Sequence, residues 1–245
     1  MYKYYEKVTD ILSEVFTQEK KNIDAAIELL TQASLNKQSI FIFGASHAGI
    51  LAEEMMYRAG GLMTVNAIFG RELMLDRHPI GFTSQMERLE GYGRALAGNV
   101  AFKENDLLIL HSVSGRNPVI IDMALAAKEK GVKILALTSV EYSASAPSRH
   151  SSGKRLYELA DIVIDNHGNI GDGTVQLAGL EQPVGPSSTV VGAMVLNSIV
   201  VEVTQNLIDA GLKNPPIFYS ANIDGGDALN QQLIQEYADV IHYKL

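Results

Sequence analysis

Short apolar runs alternate with longer amphipathic stretches along most of this sequence. Four of the runs are apolar at nearly every position, as strands buried on both faces of a sheet are. They cover residues 38–43, 106–110, 132–137 and 161–164, and residues 65–69 form a weaker candidate. Such runs, separated by helical stretches, predict an α/β fold with a five-stranded, mainly parallel sheet between layers of helices.

Helical patterns are densest at the two ends of the chain. Residues 2–34 carry apolar side chains at helical spacing in two successive segments, which predicts a pair of helices. A helix after Ser46 is expected to end at Gly60, and a long last helix should cover about 187–212. Segment 140–155 is rich in serine and lacks periodicity, so we expect a loop there.

No repeat or low-complexity linker divides the sequence. We therefore expect one domain over residues 1–245, in which a helical pair (1–37) precedes an α/β core (38–212). Residues 213–245 form a C-terminal extension that includes a short amphipathic helix over 228–240.

Composition and charge narrow the classes of function. Hydrophobic residues make up 47% of the 245 and charged residues 20%, an ordinary globular balance. The net charge of −8 argues against nucleic acid or an anionic membrane as the partner, although backbone N–H groups can still bind a small anion. The absence of cysteine excludes disulfides and thiolate chemistry.

The charged and apolar segments indicate a cytoplasmic protein. Residues 1–21 are rich in charge and lack the apolar segment of a signal peptide. The longest apolar stretch, 190–201, contains Asn197 and Ser198 and is too short to span a bilayer. The histidines have no paired spacing and no G-x-G-x-x-G follows the first strand, so neither a metal nor a dinucleotide cofactor is expected.

Small hydroxyl residues follow three of the predicted strands. Gly44-Ala45-Ser46 ends the first, residues 112–117 follow the second, and Thr138-Ser139 ends the third. Ligands of an open parallel sheet bind beyond the carboxyl ends of its strands, where hydroxyls and the free N–H groups of helix starts converge on an anion. The three loops together predict a phosphate site, although a single serine at such a place often only caps a helix.

These loops resemble those of the SIS, or sugar isomerase, family. Ser112-Val113-Ser114-Gly115 is similar to its S-x-S-G signature, Gly44-Ala45-Ser46 to its first phosphate loop and Leu137-Thr138-Ser139 to its third. With its N-terminal helices, the chain is similar to the phosphoheptose isomerase-like members. The resemblance implies a flavodoxin-like three-layer α-β-α sandwich that forms a homodimer or higher homo-oligomer and binds a phosphorylated sugar without a cofactor.

The candidate phosphosugar-binding residues follow from the loops and the resemblance. They are Gly44, Ser46, Ser112, Ser114, Gly115, Asn117, Thr138 and Ser139, with Ser187, Ser188 and Thr189 at the start of the last helix. One departure concerns Arg116, Asn117 and Pro118, which stand where family members commonly carry Ser, Thr or Glu. Asn117 can still donate a hydrogen bond, and Arg116 can pair with a phosphate or the sugar. This departure bears on the substrate more than on the fold.

An aldose–ketose isomerase acting on a sugar phosphate or amino-sugar phosphate is the favoured function. Such an enzyme needs a base that moves a proton between adjacent carbons and an acid that opens the ring. Glu53 or Glu54 is the candidate base, and phosphoheptose isomerase-like proteins place a glutamate in that helix. His150 or His167 is the candidate acid.

Several alternatives stay open. Glu141 and Glu181 are rival bases. A sensor that binds a sugar phosphate without turnover, or a lyase that cleaves an ether on the same fold, fits the same loops. A more remote alternative is a serine hydrolase, because segment 44–48 (GASHA) is one residue from a G-x-S-x-G elbow around Ser46. Asp165 or Glu141 with His167 would then complete a triad.

Overall fold

The structure is a computed structural model that describes residues 2–220 and 222–243. At its centre is a parallel sheet of five strands in the order β2-β1-β3-β4-β5. The strands are β1 (Ile40–Gly44), β2 (Val65–Ala67), β3 (Leu107–His111), β4 (Lys133–Thr138) and β5 (Ile162–Asp165). The predicted α/β fold with its five-stranded parallel sheet is confirmed.

Helices pack on both faces of this sheet. They are α1 (Lys3–Gln18), α2 (Lys20–Leu35), α3 (Ile50–Met55), α4 (Gly81–Glu87), α5 (Tyr92–Ala97), α6 (Pro118–Glu129), α7 (Val140–Ala144), α8 (Ser188–Asp209) and α9 (Gly226–Glu236). One layer, with α1, α2, α3 and α8, packs on the strand face that carries Ile42 and Ile109. The other, with α5 and α6, packs on the face that carries Phe43 and Leu110. The result is the expected three-layer sandwich.

The register of the sheet brings the strand-end loops together. β1 pairs with β3 so that Gly44 lies beside His111, and β3 pairs with β4 so that His111 lies beside Leu137. Every residue of β1 and β3 is buried, because both strands lie inside the sheet with a helical layer on each face. The loops after β1, β3 and β4 therefore leave the same edge of the sheet side by side.

The structure corrects two local expectations. The helix after Ser46 begins as a 3₁₀ turn, and α3 ends at Met55 instead of reaching Gly60, since Met56 takes an extended backbone and the chain already turns toward β2. Segment 140–155, expected as a loop, begins with the short helix α7, which the Ser139 side chain caps. A five-residue helix is too short to show periodicity in the sequence.

A separate two-stranded antiparallel hairpin accompanies the parallel sheet. β6 (Gly173–Val175) and β7 (Val184–Pro186) pair with each other just before α8. Three residues per strand are too few to show an alternating pattern, which is why the sequence did not indicate them. Tyr4 of α1 donates a hydrogen bond of 2.6 Å to the Pro186 carbonyl and fixes the hairpin against the N-terminal helices.

The apolar character of α8 is explained by its packing. By length and composition alone this helix is long enough and apolar enough to cross a membrane. Nine of its residues are nevertheless buried within the fold. A Cβ added at Gly192 would lie 2.5 Å from Cδ1 of Leu51, so α8 and α3 approach closely at that glycine. This packing is that of a core helix.

Candidate functional site

A cavity of about 500 Å³ opens at the carboxyl edge of the sheet. It is lined by the loops after β1 and β3, by residues of α4, α6 and α7, by the segment before the β6–β7 hairpin, and by the start of α8. Its volume lies in the range of small-molecule sites, and its position is where open parallel sheets bind their ligands.

The loop after β3 contributes most of the polar groups that face the cavity. Ser112, Ser114 and Asn117 all line it. The loop turns at Gly115, which has a positive φ of 57°, and the Gly115 N–H donates to Ser112 Oγ at 3.2 Å. Pro118 then occupies the first turn of α6, where its missing N–H costs nothing. Two hydroxyls and an amide are thus presented to one cavity.

Glu87, at the C-terminal end of α4, lines the same cavity and was not among the residues predicted from the sequence. Its Oε1 accepts a hydrogen bond from Ser46, and its Oε2 accepts one of 2.6 Å from Asn117 Nδ2. Arg149 Nη1 in turn donates to Asn117 Oδ1 at 2.8 Å. A carboxylate is therefore held between the loops that follow β1 and β3.

The loop after β1 turns sharply at the cavity. A Cβ added at Gly44 would lie 2.3 Å from the Ala48 carbonyl oxygen, so glycine is required there. Ser46 has a positive φ of 52° and faces a smaller neighbouring pocket of about 300 Å³ as well as Glu87. The next residue, His47, lines the main cavity. This loop therefore brings a hydroxyl and an imidazole to the site.

The two hydroxyls after β4 are not exposed to the cavity. Thr138 and Ser139 are both 0% exposed. Thr138 Oγ1 donates to the Val113 carbonyl at 3.2 Å, and Ser139 Oγ donates to the Gly168 carbonyl at 2.6 Å. Ser139 Oγ also accepts the Tyr142 N–H at the start of α7. The structure thus gives both groups partners within the protein.

The start of α8 is likewise occupied by a protein group. Ser187 and Ser188 are buried, and Asp172 accepts hydrogen bonds from both of their N–H groups and from the Ser188 hydroxyl, the last at 2.7 Å. A carboxylate at a helix N-terminus is stabilised by the helix dipole. Thr189, one residue further on, lines the cavity. Of the three predicted residues at this helix start, Thr189 is the one that faces the site.

The two candidate bases on α3 point in different directions. Glu53 is exposed and lines the smaller pocket beside Ser46. Glu54 pairs with Arg58 and accepts a hydrogen bond of 3.0 Å from Asn197 of α8. The structure therefore places Glu53 next to the first loop and Glu54 on the side that packs against the last helix.

The candidate acid His150 lies behind α6. Its Nε2 is 3.2 Å from Oδ1 of the buried Asp122, and its Nδ1 is 2.8 Å from the Ser152 hydroxyl. Asp122 also accepts the Gly91 N–H at 2.6 Å. These contacts fasten the loop after α7 to α6, and His150 does not line the cavity.

The candidate acid His167 faces the N-terminal helices. Its ring nitrogens lie 3.5 Å from Glu14 and 3.4 Å from Glu19. The Asp165 carboxylate accepts the His167 backbone N–H, and Ser46 is paired with Glu87, so these groups do not form a Ser–His–acid triad. Glu141 and Glu181 are exposed and do not line the cavity.

One buried histidine lies directly below the site. His111 at the end of β3 is 0% exposed, its Nδ1 is 3.0 Å from the Ala48 carbonyl oxygen, and its Nε2 has no partner among the described residues. Burial lowers the pKa of His111 to about 4, although the hydrogen bond to Ala48 raises it in part. The ring is therefore neutral at pH 7 and supports the loop after β1.

Fold and strand-end loops together define the class. Residues 3–139 match the SIS domain family, and the chain belongs to that family. It is 48% identical over 240 residues to a UPF0309 protein of Shouchella clausii, a match that covers 98% of this chain and 97% of that protein. It is also 50% identical over 243 residues to a UPF0309 protein of Oceanobacillus iheyensis, with 99% and 98% coverage.

Solved structures share the fold at low sequence identity. A phosphoheptose isomerase from Francisella tularensis superposes with a TM-score of 0.56 at 16% identity, over 82% of this chain and 95% of that chain. An Escherichia coli CFT073 protein solved in complex with a sugar phosphate gives a TM-score of 0.50 at 15% identity, over 86% and 89% of the two chains. Likeness at this level of identity shows a common fold.

Proposed function

We propose that the cavity binds a phosphorylated sugar. The support is a set of donors that converge there: the hydroxyls of Ser112 and Ser114, the amide of Asn117, and the N-terminal turn of α6. A volume of about 500 Å³ accommodates a sugar phosphate. The neighbours of the same fold include a phosphoheptose isomerase and a protein solved with a bound sugar phosphate, which favours this ligand class.

We further propose that the protein is an aldose–ketose isomerase with Glu87 as its base. The observation that carries this is the presence of a carboxylate in the same cavity as the hydroxyls of Ser112 and Ser114. Isomerisation removes a proton from the carbon next to the carbonyl to form an enediol, then returns the proton to the former carbonyl carbon, while the hydroxyl proton passes to the former carbonyl oxygen. Hydrogen bonds from Ser46 and Asn117 hold the Glu87 carboxylate in one orientation for that transfer.

His47 is the proposed acid for ring opening. It lines the cavity, whereas His150 and His167 are engaged by carboxylates elsewhere in the fold. A neutral imidazole can accept the hydroxyl proton of the sugar and an imidazolium can donate to the ring oxygen. Glu53, in the pocket beside Ser46, remains the rival base predicted from the sequence.

The proposal is tested by solvent deuterium exchange into a panel of sugar phosphates, followed by NMR. Glu87→Gln should lower the exchange rate at least about a hundredfold while the sugar phosphate still binds, because the amide cannot take the proton. Glu53→Gln tests the rival base in the neighbouring pocket. Glu141→Gln, an exposed carboxylate of α7 outside the cavity, is the matched control. Exchange at the wild-type rate in Glu87→Gln would refute its role as base.

A sensor without turnover is the second candidate function. The observation in its favour is that both oxygens of Glu87 already accept hydrogen bonds from Ser46 and Asn117, as in a purely structural carboxylate. A sensor would bind the sugar phosphate with no deuterium exchange in the wild type. A lyase on the same fold would instead release a product that NMR detects. The same panel therefore separates the three functions.

We also propose a cytoplasmic homodimer built on α8 and the N-terminal helices. Four apolar residues of α8 are exposed in a row along the helix: Val190, Met194, Val201 and Ile208. Val201 is 64% exposed, and Tyr2 and Tyr5 near the start of α1 are 86% and 63% exposed. Apolar stripes of this kind are buried in two-fold interfaces. Light scattering that gives the monomer mass of 26.6 kDa for the wild type would contradict the dimer.

A further inference from the structure

Three arginines without a carboxylate partner among the described residues flank residues that line the cavity, although none of the three lines it. Arg88 follows Glu87, Arg116 precedes Asn117, and Arg149 lies in the loop after α7. The chain as a whole is acidic, and of its other arginines Arg58, Arg71, Arg94 and Arg155 are each in an ion pair while Arg77 lies over the Phe82 ring. Within 2–220 and 222–243, no such pair includes the three at the cavity.

Direct contacts tie Arg149, and through it Arg116, to the cavity wall. Arg149 Nη1 donates to Asn117 Oδ1 at 2.8 Å, and the Arg149 N–H donates to the Arg116 carbonyl at 3.0 Å. Arg116 Nε is buried and has no hydrogen-bond partner in the described part of the chain. Asn117 lines the cavity beside Ser114. Positive charge is therefore concentrated next to the last polar residue of the β3 loop.

The loop that carries Arg149 is held in place from both sides. The next residue, His150, is fixed by Asp122 at 3.2 Å, and the Ser151 N–H donates to Glu90 at 3.0 Å. Arg155 Nε donates to the Ala146 carbonyl at 3.2 Å and closes the loop. A side chain on an anchored loop loses less conformational freedom on binding a ligand than one on a free loop. These contacts hold the loop that carries Arg149 against α6 and Glu90.

The charges of these three arginines repel one another. Arg149 is exposed as a whole, but partial desolvation lowers the pKa of its guanidinium, and the neighbouring Arg116 and Arg88 lower it further. An anion bound between these groups would remove that repulsion. Glu87 acts on Arg149 in the opposite direction to Arg116 and Arg88 and does not cancel their effect, since the pKa is lowered overall. Asp172, the other carboxylate that lines the cavity, is bonded to the start of α8.

We infer that the cavity takes a sugar phosphate that carries a second anionic group, a carboxylate or a further phosphate, which Arg116 and Arg149 bind beside Asn117 while Ser112 and Ser114 bind the first phosphate. The inference rests on the proposed phosphosugar site and narrows its substrate class. Guanidinium groups form charge-assisted hydrogen bonds with either anion, so the chemistry beside Asn117 is shared by both.

Calorimetric titration with three probes tests the inference: glucose 6-phosphate, 6-phosphogluconate and glucose 1,6-bisphosphate. The wild type should bind at least one of the doubly anionic probes about tenfold or more tightly than glucose 6-phosphate, since each hydrogen bond to a charged group contributes on this scale. A gain with both probes identifies a general anion site, and a gain with the bisphosphate alone identifies a second phosphate site.

Variants show which residues are responsible for the tighter binding of the doubly anionic probes, called the gain below. Arg116→Gln and Arg149→Gln should each remove most of it and leave the Kd of glucose 6-phosphate within about twofold. Arg58→Gln, whose arginine pairs with Glu54, is the matched control and should keep the gain. An equal Kd for all three probes would overturn the inference. So would an equal loss for all three in Arg149→Gln, because the arginines would then hold the single phosphate.

The serine variants distinguish a failure of the second-anion inference from a failure of the proposed function. Ser112→Ala and Ser114→Ala should weaken all three probes alike. If glucose 6-phosphate binds through these serines but the second anion adds nothing, the further inference alone is wrong. If none of the probes binds the wild type at millimolar concentration, the proposed phosphosugar site is contradicted as well.

Discussion

The ends of β3 and β4 carry the same kind of sequence but use it differently. Ser112 and Ser114 follow β3 and line the cavity. Thr138 and Ser139 end β4 and are fully buried, with their hydroxyls bonded to the carbonyls of Val113 and Gly168. Two adjacent strands of one sheet therefore present hydroxyls of which one pair is open to a ligand and the other supports the loops.

The helix that follows each strand accounts for the difference. β4 leads directly into α7, whose first N–H groups need an acceptor, and Ser139 supplies it. β3 leads through the turn at Gly115 to α6, where Pro118 has no N–H and the Asn117 side chain makes no capping bond. The Asn117 amide bonds Glu87 instead. A strand-end side chain that the next helix does not require can therefore face the cavity, as Ser112 and Ser114 do, or hold a side chain of the site, as Asn117 holds Glu87.

The largest expected effect is on the β3 side. The double variant Ser112→Ala/Ser114→Ala should bind the best sugar phosphate of a thermal-shift panel about a hundredfold more weakly, since each hydrogen bond to a charged group is worth roughly 1.5–3 kcal/mol. Calorimetric titration measures the Kd, and denaturant unfolding should show a loss of no more than about 1 kcal/mol, because Ser112 Oγ also accepts the Gly115 N–H. Ser139→Ala is the control that keeps its affinity. Matching titration curves for the double variant and the wild type would show that the β3 hydroxyls bind the ligand no more than the β4 hydroxyls do.

The fold could be predicted from the sequence because its determinants are local. Residues 106–110 and 132–137 are apolar except for Asp106 and Lys133, and the ends of β3 and β4 differ from the ends of these runs by one residue. Such runs fit only a strand buried on both faces when helices flank them. The alternation of strands and helices then leaves a parallel sheet as the consistent arrangement.

The site could be predicted only where its residues lie on strand-end loops. Glu87 is 41 residues from Ser46 in the sequence, and α4, which carries it, is a short helix with no strong pattern. Nothing in the sequence distinguishes Glu87 from the exposed Glu90 nearby. Its role depends on how α4 packs over the two loops. Long-range placement of this kind is the part that local patterns do not contain.

The second-largest effect is a pH dependence of stability that we expect from the β3 end and not from the β4 end. His111 at the end of β3 has its pKa lowered from 6.5 to about 4, first by burial, so the unfolded chain binds more protons than the native one between those values. The stability that the neutral ring contributes is full above pH 6.5 and is lost as pH falls toward 4. At pH 5 the loss from this group should be about 2 kcal/mol relative to pH 7.

Denaturant unfolding at pH 7 and pH 5 measures this loss. His111→Gln keeps a hydrogen-bond donor toward Ala48 and cannot titrate, so the difference between the two pH values should shrink by that amount. Ser139→Ala on the β4 side should keep the wild-type pH dependence, because it leaves His111 untouched. An identical pH dependence in His111→Gln and the wild type would show that the buried ring does not drive the loss.

The third effect is a loss of stability on the β4 side without loss of affinity. Ser139→Ala removes the cap of α7 and leaves the buried Gly168 carbonyl without its 2.6 Å donor. The free energy of unfolding should fall by about 1.5 kcal/mol. Urea unfolding measures the change, and the Kd for the sugar phosphate should stay within about twofold. A tenfold weaker Kd would place Ser139 in the ligand site after all.

The smallest effect is expected at Thr138, where the two strand ends meet. Thr138→Val keeps the shape of the side chain and removes the hydroxyl that donates to the Val113 carbonyl at 3.2 Å. That carbonyl also accepts the Ser139 N–H at 3.0 Å, so it stays paired and the cost of an orphaned acceptor does not arise. The free energy of unfolding should fall by only about 0.5 kcal/mol. Urea unfolding and titration with the same sugar phosphate measure both quantities, and a loss of affinity larger than that of Ser112→Ala would show that the β4 hydroxyls, too, serve the ligand.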